Sequence, residues 1–124
     1  MEQKINKIAQ PYPIVSTTKK LYMGDVIDSQ ARLSLNRRFV TEEILPSLLK
    51  EGENFANGIN VKVLDNRLQK FHMIFKDWGS LMVLTSGWNQ LVHANKDLEE
   101  GVTIQIWVFR DVEEDRLCFA ICRR

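Results

Sequence analysis

The chain has 124 residues, 44% hydrophobic and 27% charged, with a formal net charge of +1 at pH 7. This length argues for one domain around a single core, and no apolar run approaches the ~20 residues a membrane-crossing helix needs. Two cysteines and two widely separated histidines lack the paired-ligand spacing of a zinc site, so no metal and no cofactor is expected.

Met1 to Ser16 lacks the apolar centre of a secretory signal, which leaves cytoplasm or nucleus as the default compartment. Pro11-Tyr12-Pro13 resists both helix and sheet. The expectation is a flexible tail over residues 1–16, extended or poorly ordered, and a folded domain over 17–124. Thr17 to Met23 is β-branched and aromatic and predicts a first strand closed by Gly24-Asp25. The polar loop Asp28-Ser29-Gln30 follows, then a short alternating strand, Arg32-Leu33-Ser34-Leu35. From Arg37 the period becomes helical, through Phe39, Val40, Ile44, Leu45, Leu48 and Leu49. Thr41 ahead of Glu42 and Glu43 has the form of a cap with first-turn acids, and Pro46 starts or kinks a turn, so two short helical pieces are predicted.

After a loop from Gly52 to Gly58, Ile59, Val61 and Val63 alternate as a half-buried strand does. Asp65-Asn66 is turn chemistry. Phe71, Met73 and Phe75 then alternate with His72, Ile74 and Lys76, completing a hairpin that runs into the exposed loop Asp77-Trp78-Gly79-Ser80. In the stretch Val83 to Val92 a strand passes straight into a short helix: Thr85 or Ser86 is placed to cap it, and Trp88, Leu91 and Val92 repeat at helical spacing. Gly87 at the corner implies a close backbone approach or a φ that a Cβ would oppose. Leu84, Trp88 and Leu91 are core candidates, as is Ile106 in the strand Val102-Ile104-Ile106-Val108, which is apolar on both faces by its end and therefore central. An acidic turn, Asp111 to Asp115, leads to a last strand, Leu117 to Cys122, with Cys118 and Cys122 on one face as small hydrophobes. About seven strands and two helical segments joined by short turns argue for a closed or nearly closed antiparallel barrel.

The chain carries no sign of catalysis. Neither histidine neighbours a nucleophile motif, and no Gly-Lys-Ser/Thr phosphate loop occurs. The carboxylates gather in turns, where solvation keeps them ordinary. No catalytic residue and no small-molecule substrate is expected. Charge distribution says more. From Asn95 to Asp115 two bases, Lys96 and Arg110, stand against seven acids, a net of −5 that leaves +6 for the rest. If the acidic turns lie together at one end, the polar loops and basic strands form a positive face of the kind nucleic acid needs; the alternative is a mixed soluble surface.

The run Val83-Leu84-Thr85-Ser86-Gly87-Trp88-Asn89-Gln90-Leu91-Val92, with Leu98-x-x-Gly101-Val102 after it, resembles the hallmark of the plant-specific B3 DNA-binding domain. Lys20-Leu21-x-x-Gly24-Asp25-Val26 with Arg32-Leu33-Ser34-Leu35 is similar to that family's first strand and the segment after it. Ile106-Trp107-Val108-Phe109-Arg110 and Leu117-Cys118-Phe119-Ala120 resemble the ending of a subgroup of short plant B3-like proteins. The likeness covers about Thr17 to Cys122. It implies a seven-stranded open antiparallel pseudobarrel with two short helices, a nuclear transcriptional regulator, and two arms entering the major groove of double-stranded DNA. By motif the first arm is Asp25 to Leu35 and the second Lys76 to Ser80. The resemblance implies DNA-binding roles for Lys20, Gln30, Arg32, Arg37, Lys76, Trp78 and Ser80, with Arg suited to guanine, Gln to adenine, and Lys and Ser to phosphate. Trp78 fits either a base-edge or sugar contact or a rim aromatic on the barrel, and Arg37 with Arg38 either a backbone contact or a solvated helix start. The sequence departs from the pattern at Asn36, where many members carry proline, in a second arm several residues short, and in Asp77 within that arm. The alternative function is a B3-like scaffold without strong DNA affinity, serving association with other proteins or with itself.

Overall fold

Alternation of apolar and polar side chains lays out the strands, and the computed structural model describes all of residues 1–124. The strands are β1 (Val15–Lys20), β2 (Arg32–Leu35), β3 (Ile59–Leu64), β4 (Lys70–Asp77), β5 (Met82–Thr85), β6 (Thr103–Asp111) and β7 (Arg116–Arg123). They form one seven-stranded sheet in the order β1-β6-β7-β3-β4-β5-β2, curled so that the two edge strands approach each other. No backbone ladder joins β1 to β2. Instead the Lys19 ammonium donates to Ser34 Oγ at 2.6 Å across the seam, so the barrel stays open on that side. One pair departs from the all-antiparallel expectation: β3 and β7 run parallel, Lys62 opposite Cys118 and Leu64 opposite Ala120. The sheet is therefore mixed. Inside it, Leu84, Trp88, Leu91 and Ile106 are fully buried in one cluster.

The helices differ more from expectation. Residues 2–9, read as tail, form α1 (Glu2–Ala9). Its Ile5 and Ala9 are buried on the outer face of the sheet against Leu64, Phe109, Cys118 and Ala120, and Val112 N–H donates to the Ile8 carbonyl at 3.0 Å. Burying Ile5 alone stabilises this docking by about 2 kcal/mol. The same cover removes Cys118 from water and pushes its thiol up to about 12. The first strand stops at Lys20, and Met23–Val26 is a single helical turn, α2. The two pieces expected after Arg37 are α3 (Arg37–Phe39) and α4 (Leu45–Leu48), joined without a break by a π-helical turn over Val40–Ile44. That turn lets Leu45 N–H reach the Val40 carbonyl and delivers Pro46 to the first turn of α4, where its missing donor costs least. Asn36, not Thr41, caps the run, its Oδ1 accepting from Phe39 N–H at 3.0 Å. Thr41 donates back to the Arg37 carbonyl instead. The last helix, α5 (Trp88–Ala94), has Gly87 at its cap and no side-chain cap, so neither Thr85 nor Ser86 plays that part.

Candidate nucleic-acid interface

The corner between β5 and α5 positions the whole connection from β1 to β2. Gly87 sits at φ +146°, and a Cβ there would fall 2.7 Å from the His72 carbonyl oxygen, so glycine is required on both counts. With the corner this tight, the buried Trp88 indole N–H donates to the Asp25 carbonyl at 2.6 Å. Asn89 Nδ2 donates to the Asp28 carbonyl at 3.0 Å, His93 Nε2 lies 2.7 Å from Asp28 Oδ1, and Thr85 Oγ1 donates to the Ala31 carbonyl at 3.3 Å. Four side chains of one short stretch thus hold the first arm.

Asp25 is the hub behind that arm. The sequence marks it as the close of the first strand and the start of the first arm, with nothing to signal burial, yet it is 2% exposed. Its carboxylate accepts from Tyr22 N–H at 2.9 Å, Ser34 N–H at 3.1 Å and Ser34 Oγ at 3.2 Å. Lys19 Nζ stands 3.2 Å away and Arg32 Nη1 3.3 Å away, with those side chains 15% and 13% exposed. Burial pulls the Lys19 ammonium below its ordinary value, and the charge of Asp25 works against that pull. Arg32 Nη1 also donates to the Gly24 carbonyl. The arginine that the family pattern marks for a base edge is turned into the domain.

The second arm is shaped by its own short contacts. Asp77 Oδ1 accepts from Gly79 N–H at 2.7 Å, Trp78 N–H donates to the Leu81 carbonyl at 2.8 Å, and Arg37 Nη2 donates to the Gly79 carbonyl at 2.7 Å. Asp77, a departure from the family pattern, thereby folds the turn. Trp78 is 47% exposed, Ser80 and Gln30 are exposed, and Lys76 is half-buried. Neither Lys20 nor Lys76 enters an ion pair. Along the open seam runs a groove of about 320 Å³ lined by Thr18, Lys20, Tyr22, Asn36 and Leu81 among others. It takes in Lys20 from the expected set; Gln30, Arg32, Arg37, Lys76, Trp78 and Ser80 lie outside it. Sequence reasoning missed Lys19, Tyr22, Asn89 and His93: Asn89 and His93 meet Asp28 from more than sixty residues away, while Lys19 and Tyr22 are recruited by Asp25, whose burial is a tertiary property.

The acidic turn belongs to the other end of β1, since Val15 pairs with Val108 and Lys20 with Thr103. It is not simply solvated. Asp111 is buried in an ion pair with Lys62, with Glu114 3.5 Å from the same ammonium, and Asp115 pairs with Lys50. Arg110 grips both oxygens of Glu53, at 2.7 and 3.1 Å. Burial alone would raise the Glu53 and Asp111 carboxyls. Hydrogen bonds from Arg110 and Lys50 N–H, and from Lys62 and the Glu113 and Glu114 N–H groups, overcome it and hold both below their ordinary values.

Comparison with known proteins bears on this arrangement directly. A family model described as B3 domain-containing protein At2g31720-like matches residues 1–124. The chain belongs to the B3 domain family. Two Arabidopsis thaliana proteins described as containing a B3 domain, At4g03170 and At1g05930, are 38% and 35% identical to it, over 110 and 111 residues. Each alignment takes in 83% of this chain but 42% and 34% of the relative, so the chain spans well under half the length of either. Among solved structures, the crystal structure of the Arabidopsis thaliana transcription factor LEC2 in complex with DNA is similar at a TM-score of 0.59 and 20% identity, covering 90% of this chain and 96% of that one. At that identity the likeness is one of fold, and it places the B3 pseudobarrel on this sequence.

Proposed function

We propose that this B3 domain binds duplex DNA sequence-specifically as part of a plant transcriptional regulator in the nucleus, gripping one major groove with the two arms. The observation that carries the reading is the spacing of those arms. The first arm enters β2 at Arg32, opposite Thr85, and the second enters the neighbouring strand β5 at Met82, opposite Leu35 at the other end of β2. Three strand steps of ~3.3 Å separate those ends by ~10 Å, against ~12 Å for the width of the major groove. The fold likeness to a transcription factor solved with DNA supports the same reading. Lys20 and Lys76, free of ion pairs, neutralise phosphates. Gln30, Trp78 and Ser80 face base edges and sugars. Arg37 anchors the second arm through Gly79 and offers its remaining donors to the backbone. Arg32 acts through Asp25, keeping the first arm in shape.

Selection of bound sequences from random duplexes, followed by titration of selected and scrambled sites at two salt concentrations, tests this. Lys76→Ala should weaken both duplexes alike and lower the salt slope by about one unit. A wild-type affinity for every duplex no tighter than the ~10⁻⁴ M end of non-specific binding at physiological salt would overturn the assignment.

A further inference from the structure

The chain leaves five large hydrophobic side chains exposed, and three of them lie on or beside α2, the helical turn that leads into the first arm: Tyr22 at 63%, Met23 at 59% and Ile27 at 37%. Apolar groups gathered on an ordered turn mark a contact surface, whereas isolated ones do not. The backbone beneath these is fixed. Leu21 is fully buried, with its N–H and carbonyl bonded to Val102 and Gly101 at 2.8 Å each. Tyr22 N–H is tied to the buried Asp25 carboxylate. The ring and thioether are therefore presented on a backbone that needs little further ordering to engage a ligand. Two cations adjoin them: the Lys19 ammonium lies 5.6 Å from the Tyr22 ring centroid, and Lys20 and Tyr22 together line the seam groove towards the second arm, while the exposed Glu99-Glu100 turn lies on the Gly101 side of Leu21.

Such a surface suits a polyanion that also offers apolar groups. In the major groove, duplex DNA offers them as the C5 methyls of thymine. The guanidinium that would otherwise read a base from this arm is engaged with Asp25 and Gly24. We infer that Tyr22 and Met23 are specificity-determining residues that select thymine by packing against its C5 methyl. The inference rests on the DNA-binding reading above and deepens it.

A cycle crossing a protein change with a base change tests it. Wild type and the double variant Tyr22→Ala/Met23→Ala are titrated by fluorescence anisotropy against the selected duplex and against duplexes with deoxyuridine replacing each thymine in turn. Deoxyuridine removes the methyl and keeps the pairing and hydrogen-bonding edge. Both substituted side chains are exposed, so the fold should persist, which circular dichroism checks. At one or two positions the methyl loss should weaken wild-type binding about fourfold, the transfer value of one buried methyl. The variant should show a ratio near one at those positions and an unchanged salt slope. Equal thymine-to-uracil ratios in the two proteins at every position would overturn the inference, as would a selected core without thymine. Self-association in sedimentation that the variant abolishes, with DNA affinity untouched, would reassign the patch to a protein contact. Failure of wild type to prefer any duplex is a different result: it removes the DNA-binding reading and this inference with it.

Discussion

Replacing Asp25 with alanine tests the hub on which the first arm rests. The change removes one carboxylate that accepts from two backbone N–H groups and a hydroxyl and faces two cations. Breaking a fully buried charge pair costs about 3–5 kcal/mol, because the partner is left desolvated and alone. Lys19 and Arg32 retain 15% and 13% exposure, so water reaches them and the lower end applies. The orphaned N–H groups of Tyr22 and Ser34 are only part-buried, at about 1 kcal/mol each or less, and Ser34 keeps its Lys19 donor. The expected loss is about 3 kcal/mol, a large share of the 5–15 kcal/mol typical of a domain, and a drop of roughly 10 °C in Tm. Asp25→Asn keeps the shape and one acceptor oxygen and should lose about half as much. Urea melts with a common m-value measure both. A loss under about 1 kcal/mol for Asp25→Ala would show that the carboxylate is solvated and that the first arm is not held from behind.

Trp88→Ala should cost about 3–5 kcal/mol in the same melts, whereas Trp88→Phe, which retains a ring but forfeits the donor to the Asp25 carbonyl, should cost about 1–2 kcal/mol; equal losses would mean that the hydrogen bond carries the site. Gly87→Ala meets both a φ of +146° and a backbone oxygen at 2.7 Å, so a loss of at least ~2 kcal/mol is expected, and an unchanged midpoint would show that the corner relaxes. Acid should act through the far end of the barrel. Glu53 and Asp111 titrate below their ordinary 4.5 and 3.8 in the folded chain, so the unfolded chain takes up protons first as pH falls. Stability from these groups is present above about pH 4.5 and is lost below it as pH falls through the folded values. Asp111→Asn should flatten that acid limb, and a limb of unchanged steepness would deny Asp111 its part.

Much of the fold is legible residue by residue. Alternation in Arg32–Leu35 sets the bounds of β2 as observed, and the strand–glycine–tryptophan run announces both the tight corner and its buried indole, since pleat, helical period and glycine are local properties. The strand β3, expected half-buried, is buried at every position but Asn60, because α1 covers Leu64 and Lys62 pairs with Asp111. The N-terminal helix is not legible. Ile5, Ile8 and Ala9 are too few to carry a helix in water, and only Leu64, Phe109, Cys118 and Ala120, gathered from three strands, give them a face to cover. Nor does alternation name a strand's neighbour, which is why the parallel pairing of β3 with β7 appears only in three dimensions. The same limit governs the interface. Arg32 and Lys76 are both basic residues in polar arms, and nothing near either in the chain separates an inward guanidinium from a free ammonium. What separates them is Asp25, buried by the approach of Lys19, Ser34 and Trp88 from other elements, because a desolvated carboxylate must find its cations wherever the fold brings them.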